Sequence, residues 1–374
     1  MRPAPARPGD GVAAIATPAL VIDLDALERN IARMAAFARE RKLRLRPHAK
    51  THKSAQIARM QIVAGAAGVC VQKVSEAEAL AAQGIADLYI SNEVIAESAV
   101  ARAAALAGRV RLAIAADSAL GVDRLARAVQ ATGSTIDVFV EVDVGQGRCG
   151  VPPTSAGGLA RRVVSHAGLR FAGLQAYHGG AQHIRASAER EAAIRRAVAA
   201  ASAARAAVTS TGIACPLVTG AGSGSFSFEA ASGVYGELQP GSYVFLDHDY
   251  AANEAAANAP EFEHALFVLC RVMSRGAAHA VVDAGHKSHA IDSGLPGVWR
   301  RELDFANGGD EHGILLPRPG SADALPALDE IVWLVPGHCD PTVNLHDHYV
   351  CLRGGLEQGV VDAVWPVDAR GCVV

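Results

Sequence analysis

From about Leu43 to Phe245 the chain repeats one unit: a short β-branched or apolar run, a few polar or glycine residues, then an Ala/Arg/Glu-rich stretch of helical periodicity. The runs are LRLRPHAK (43–50), GVCVQ (68–72), DLYISN (87–92), VRLAIAAD (110–117), IDVFVEVDVG (136–145), LRFAGLQAYHG (169–179), PLVTGAGSG (216–224) and ELQPGSYVF (237–245). This alternation restricts the chain to a parallel sheet covered by helices, and eight units are the number that closes a (β/α)8 barrel. An open doubly wound sheet uses the same alternation. Against it, no GxGxxG follows an early strand, and residues able to do chemistry stand at the C-terminal ends of several runs, where barrel enzymes place them. The expectation is therefore an α/β chain whose barrel spans residues 24–255. After about Ala255 the runs are short and broken by Gly, Pro and Asp, which reads as a mainly β domain over 256–374. The early run TPALVIDLD assigns residues 1–23 to that same domain.

The composition narrows the function. Among 374 residues, 35 Lys+Arg against 38 Asp+Glu give a net charge of −3, with no basic stripe to meet a phosphate backbone, so nucleic acid is an unlikely partner class. The mean hydropathy is +0.18, but no uncharged apolar run reaches the ~18–20 residues that a bilayer requires. The first residues, MRPAPARPGDG, lack the apolar stretch of a signal peptide, and the expectation is a cytoplasmic protein. Seven scattered cysteines without a CxxC spacing suggest reduced thiols rather than a disulfide framework.

Several strand ends carry candidate chemistry. In RPHAKTHK, alternation places Arg46, His48 and Lys50 on one face, and a partly desolvated lysine at a barrel mouth is suited to forming a Schiff base with a carbonyl. Its alternative is a solvated strand-end lysine. Lys53, three residues on, reads as a surface charge. TGAGSGSF offers backbone N–H groups with the hydroxyls of Thr219, Ser223 and Ser225 to an anion, at the loop where barrels often bind phosphate. Tyr243 in QPGSY is a further donor candidate or a core residue. Arg148, beyond the fifth run, is placed to reach the barrel mouth; facing the ring nitrogen of pyridoxal phosphate, it would keep that nitrogen unprotonated. The sixth run brings Tyr177, His178 and His183 to the same rim. In VPGHCDPTVNLHDH, His338 and Asp340 share the same face of an extended segment and suit a divalent ion; His346 and His348 repeat the spacing as rivals.

In order and content, TPALVIDLDALERNI, RPHAKTHK, QKVSEAEAL, ISNEV, EVDVGQGRCG, LQAYHGG, TGAGSGSF, ASGVYGELQPGSYVFLD, VVDAGHKS, DEHG and PGHCDPTVNLHD resemble the D-threonine aldolase and D-serine dehydratase family, fold-type III pyridoxal-phosphate enzymes related to alanine racemase. The resemblance covers nearly the whole chain. It implies an alanine racemase-like (β/α)8 TIM barrel with a C-terminal β domain, usually as a homodimer. It makes Lys50 the Schiff-base lysine and Arg148 the partner of the pyridine nitrogen. Gln72, Tyr177, Thr219, Gly222, Ser223 and Tyr243 fall on segments that hold ring and phosphate. His338 and Asp340 become the metal ligands, and His183 the candidate base for a substrate hydroxyl. The family's dehydratases look like His-x-Cys and its aldolases like His-x-Asp; this chain has His338-Cys339-Asp340, and a carboxylate favours a harder ion such as Mn²⁺, with Mg²⁺, Co²⁺ or Zn²⁺ as substitutes. The implied activity is retro-aldol cleavage of a small-molecule D-amino acid, D-threonine first. The alternatives are a D-serine or D-threo-3-hydroxyaspartate dehydratase, a D-3-hydroxyaspartate aldolase, a racemase, or a non-catalytic cofactor carrier.

Overall fold

A computed structural model of the chain describes residues 4–257 and 259–374. Strand β1 (Ala19–Asp23) leads into a helix, Leu24–Glu40, whose first turn is capped by the Asp23 side chain accepting from Ala26 N. Eight parallel strands follow: β2 (Arg44–Leu45), β3 (Val69–Val71), β4 (Asp87–Glu93), β5 (Arg111–Ala116), β6 (Ile136–Glu141), β7 (Leu169–Ala176), β8 (Val218–Gly220) and β9 (Glu237–Leu238). They pair in the order β2-β9-β8-β7-β6-β5-β4-β3. The two ends of this curled sheet meet: Ala67 N donates to Leu45 O, Cys70 N to Pro47 O and Ala49 N to Cys70 O, at 2.7–2.8 Å. The barrel is thus closed by backbone hydrogen bonds between its first strand and β3.

Barrel strands are covered on both faces, which is why β6 reads IDVFVE and is buried at all six positions. The helices between them obey local rules. Helix Ala119–Thr132, for example, starts at Ser118, whose hydroxyl accepts from Gly121 N, and stops at Gly133, which takes the left-handed conformation (φ 67°) that a C-terminal cap favours.

The barrel axis is layered. Near the N-terminal strand ends, Arg46 pairs with Asp87 (2.5 Å), and Asp137 accepts from Arg111 (3.3 Å) and Arg170 (2.7 Å). Cys70, Tyr89, Ala113, Ala115 and Phe139 form an apolar cluster in the sheet's interior. Toward the C-terminal ends, a chain of polar side chains takes over. Tyr89 Oη donates to Gln175 Oε1 (2.9 Å), Gln239 Nε2 donates to Gln175 Oε1 (2.9 Å) and Thr219 Oγ1 (2.7 Å), and Thr219 Oγ1 donates to Glu237 Oε1 (2.9 Å).

The remaining strands, β10 (Leu266–Arg275), β11 (Ala280–Val282), β12 (Gly297–Val298), β13 (Leu303–Asn307), β14 (Gly313–Pro317), β15 (Ile331–Val335), β16 (His348–Arg353) and β17 (Val360–Pro366), build a nine-stranded sheet that includes β1. β1 pairs antiparallel with β10 and parallel with β16. One apolar cluster joins this sheet to the barrel: Ile22, Val268, Leu334 and Tyr349 pack with Leu27 and Met34 of the first helix and with Val244 and Phe245 past β9. That shared core sets the turn after β15, with His338 and Asp340, over the barrel mouth. Among the described residues no helix is long and apolar enough to cross a membrane.

Candidate active site

At the C-terminal end of the barrel, a cavity of about 170 Å³ is lined by His48, Lys50, Thr51, Gln72, Ser91, Arg148, Gln175, Tyr177, Ala221, Gly222, Ser223, Gln239, Gly241, Ser242 and Tyr250. A wider groove of about 1120 Å³, which includes Arg29, Glu263, Trp299 and Trp333, holds none of the residues singled out in the sequence. Chemistry rather than size therefore marks the site.

Lys50 enters the cavity from the loop after β2, and its Nζ lies 2.5 Å from Asp340 Oδ2. Desolvation at the mouth pulls the amine's pKa down, but the Asp340 carboxylate overcomes it and the net shift is upward. Asp340 is pushed up by burial, yet Lys50 and His338 hold it well below the usual carboxylate range. Beneath the lysine, His48 Nε2 meets Gln72 Nε2 (2.8 Å) and Ser91 Oγ (3.1 Å), and burial keeps its pKa low, so the ring is neutral at pH 7.

Gln72, Arg148, Tyr177, Gly222 and Ser223 line this cavity with Lys50, and the Arg148 guanidinium lies 5.6 Å from the Tyr177 ring centroid. Thr219 and Tyr243 do not line it. The Thr219 hydroxyl is taken by Glu237 and Gln239 inside the barrel, and the Tyr243 hydroxyl accepts from Gln61 Nε2 (3.1 Å). Tyr243 reaches the phosphate-loop segment through its backbone instead, N donating to Ser223 Oγ (2.9 Å). His183 stands outside, half-exposed, its Nδ1 2.5 Å from Asp249 Oδ2 and its ring 5.3 Å from that of Tyr250. Lys53 is not a surface charge. It is buried at 7% exposure and pairs with Glu76 at 2.7 Å, because the turn after Lys50 folds inward against the first turn of helix Val74–Ala82.

His338 is oriented by Asp247: Nδ1 lies 2.7 Å from Asp247 Oδ2, leaving Nε2 3.9 Å from Asp340 Oδ1. His346, its rival, gives Nε2 to Ser288 O (2.7 Å) instead. Sequence reading also missed Asp247, Gln239, Gly241, Ser242 and Tyr250. Gly241 and Ser242 carried a signal, since QPGSY was noted for its tyrosine alone.

The site fits both groups that the resemblance implies. For pyridoxal phosphate it offers a lysine amine and, on two loops, glycines whose added Cβ atoms would meet Gln182 Oε1 at 2.4 Å (Gly222) and Thr51 Oγ1 at 2.7 Å (Gly241), beside the Ser223 and Ser242 hydroxyls. The Thr51 hydroxyl there is buried and, among the described residues, makes no hydrogen bond. For a metal ion, Asp340 Oδ1 is buried, unpartnered among the described residues, and faces a histidine whose other nitrogen is already engaged.

A closed parallel barrel with a lysine and a His-x-Asp pair at its mouth, joined to a β domain, defines the alanine racemase-like class. The model for the alanine racemase N-terminal domain matches residues 22–249, and that for a putative serine dehydratase domain matches residues 265–352. A D-threonine aldolase from Arthrobacter sp. is 45% identical over 372 residues, 99% of this chain and 96% of that one. A 3-hydroxy-D-aspartate aldolase from Paracoccus denitrificans (strain Pd 1222) is 42% identical, covering 98% and 95%. The crystal structure of a D-threonine aldolase from Filomicrobium marinum superposes with a TM-score of 0.96 at 48% identity, covering 99% and 100%. The chain belongs to the D-threonine aldolase and D-serine dehydratase family of fold-type III pyridoxal-phosphate enzymes, and it is a lyase.

Proposed function

We propose that this lyase cleaves D-threonine and related D-β-hydroxy-α-amino acids to glycine and an aldehyde, with pyridoxal phosphate and a divalent ion, Mn²⁺ first. The observation that carries this reading is the 2.5 Å contact between Lys50 Nζ and Asp340 Oδ2, which sets a cofactor-bearing amine beside a metal-ligand pair.

Lys50 is the attachment point for the cofactor. Gly222, Ser223, Gly241 and Ser242 would receive its phosphate through backbone N–H groups and hydroxyls. Arg148, whose guanidinium lies over the Tyr177 ring, would pair with its ring nitrogen. When bound, the cofactor supplies an electron sink for the pair left on Cα as the Cα–Cβ bond breaks. The metal, when bound, lowers the pKa of a hydroxyl at its open positions. His338 Nε2 and Asp340 Oδ1 would hold it, and two protein ligands would leave those positions open. His183 accepts the β-hydroxyl proton at Nε2 through solvent, because Asp249 occupies Nδ1 and leaves the other nitrogen as the acceptor. The bookkeeping closes: the proton leaves the hydroxyl, the bond electrons go to Cα, and reprotonation there completes glycine. A cytoplasmic homodimer completes the reading, and sedimentation of the holoenzyme tests the dimer.

The dehydratase alternative is disfavoured by Asp340, a carboxylate at the position where a His-x-Cys pair carries its thiol. Asp340 faces Lys50, and Cys339, the residue between, is buried in the core beneath the turn and offers no substitute thiolate. Purified, cofactor-loaded protein incubated with D-threonine and Mn²⁺, with an EDTA control, tests the proposal. Glycine and acetaldehyde that vanish with EDTA are expected; 2-oxobutanoate and ammonia would replace this reading with a dehydratase.

A further inference from the structure

A second group of ligating side chains stands at the barrel mouth, outside the cavity that Lys50 enters. Glu93 ends β4, Asp117 follows β5, Glu141 ends β6, and Cys149 lies on the loop that carries Arg148. The ligand atoms of Glu93, Asp117 and Cys149 all lie within 4.8 Å of one another. Glu141 is 4% exposed and within hydrogen-bonding reach of Glu93, as is the Cys149 thiol; apart from these contacts inside the cluster, no described residue gives a hydrogen bond to Glu141 Oε2 or to either Glu93 oxygen. Asp117 accepts only from a backbone amide in the hydrogen bonds that hold this loop, Gly150 N at 3.1 Å.

Glu93, Asp117 and Cys149 thus converge with Glu141 beside them, and Arg148 is the cation that Glu141 and Cys149 feel. Carboxylates crowded together in a buried site repel one another and are costly unless a cation or a shared proton compensates them, and burial beside Glu93 pushes the Glu141 carboxyl toward holding that proton. The arrangement supplies what a metal ion needs and a hydrogen-bond network does not: convergent acceptors from three strand ends and one loop, with oxygens left over. Three donors stand close together and Glu141, against Glu93, is the candidate fourth, a set of the structural kind, and a thiolate among carboxylates selects a borderline ion over Mg²⁺ or Ca²⁺.

We propose that Glu93, Asp117, Glu141 and Cys149 bind a divalent ion of Zn²⁺ character, at a site separate from the His338–Asp340 pair. Binding is ligand exchange without redox change: the ion enters, and the protons held by the Cys149 thiol and by the carboxyl cluster leave to solvent. Because the ligands join β4, β5 and β6 to the loop after β6, the ion fixes the segment on which Arg148 stands. It is a positioning site for Arg148 rather than a catalytic one.

The test uses holoenzyme carrying His338→Ala and Asp340→Asn, which empties the other pair. After Zn²⁺ loading and gel filtration, elemental analysis is expected to find one retained equivalent, against two in the unsubstituted enzyme. Glu93→Gln in this background is expected to weaken Zn²⁺ binding by at least about tenfold, the lower limit seen even for outer-shell partners. With the cluster intact, Zn²⁺ is expected to slow maleimide labelling of the Cys149 peptide, read by mass spectrometry, by a similar factor. Co²⁺ is expected to give the visible bands of a thiolate-bound tetrahedral ion, lost in the isosteric Cys149→Ser. No retained Zn²⁺ together with unchanged Cys149 labelling would overturn the proposal and leave a proton shared between Glu141 and Glu93 as what holds the cluster.

Discussion

Asp247 and His338, 91 residues apart, form the contact that aims the pair proposed to hold the metal. Asp247 is wholly buried; its Oδ2 takes His338 Nδ1 (2.7 Å) and Cys339 N (3.0 Å), and its Oδ1 accepts from Tyr250 N (2.9 Å). The carboxylate fixes the histidine tautomer and raises the basicity of Nε2, as outer-shell carboxylates do for metal-bound imidazoles. Asp247→Asn keeps the shape and the cap but removes the charge. The Mn²⁺ concentration for half-maximal activity is expected to rise about 10–100-fold, with cofactor absorbance unchanged.

Lys50 and Asp340 touch, but their variants separate. Lys50→Ala is expected to lose both the protein-bound cofactor absorbance and D-threonine cleavage. Asp340→Ala is expected to keep the absorbance and lose metal-stimulated turnover. A Lys50→Ala protein that retained colour and activity would remove Lys50 from its role.

The barrel was legible because its strands are short apolar runs at regular spacing, and each marks its own C-terminal end with Gly or a polar residue. Lys50, Gln72, Arg148, Tyr177, Gly222 and Ser223 share one cavity for that reason: strand ends meet wherever a barrel closes. What stayed hidden depends on pairings distant in sequence. Nothing local links Asp247 to His338. The inward turn of Lys53 depends on Glu76, which is on the helix after β3, and the directions of the Thr219 and Tyr243 hydroxyls are set by Glu237 and Gln61. Periodicity gives the face of a strand, not the partner that claims a hydroxyl.

The Lys53–Glu76 pair carries a stability prediction. Glu76 Oε1 takes Lys53 Nζ (2.7 Å) while its Oε2 accepts from Gln72 N (2.9 Å) and Lys73 N (3.1 Å), so the pair braces the segment that presents Gln72. Removing one partner of a buried pair leaves an uncompensated charge and costs roughly 3–5 kcal/mol. Lys53→Met is expected to destabilise the protein by about that much in urea unfolding, and Lys53→Met with Glu76→Gln to recover most of it.

Gly222→Ala tests the phosphate cradle. Its new Cβ would lie 2.4 Å from Gln182 Oε1, and Gln182 cannot swing aside freely: Oε1 accepts from Gly224 N (3.0 Å) and Nε2 donates to Ser225 Oγ (2.7 Å). Overpacking of about 1–3 kcal/mol would weaken cofactor affinity, each ~1.4 kcal/mol being tenfold. Fluorescence titration of the apoenzyme reads this. Gly158→Ala, where an added Cβ meets nothing within 4 Å, is expected to leave the affinity unchanged.

Glu229 makes stability depend on pH in a defined window. It is buried behind the same cradle, accepts from Ser225 Oγ (2.8 Å) through Oε1, and leaves Oε2 without a partner among the described residues. Burial pushes its pKa from 4.5 up to about 7. The folded state therefore holds a proton that the unfolded state releases above pH 4.5. The sign follows: stability is highest below the unfolded pKa, falls as pH rises from about 4.5 to about 7, and levels off above that. At about 1.4 kcal/mol per pKa unit, the ionised carboxylate costs on the order of 3 kcal/mol at pH 8. Glu229→Gln preserves the acceptor for Ser225 and cannot ionise. It is expected to match the parent near pH 4.5 and to exceed its stability at pH 8, with this group's fall across the window removed. Urea unfolding at pH 4.5, 6 and 8 measures it, and parallel pH profiles for parent and variant would mean that Glu229 keeps the same proton affinity folded and unfolded.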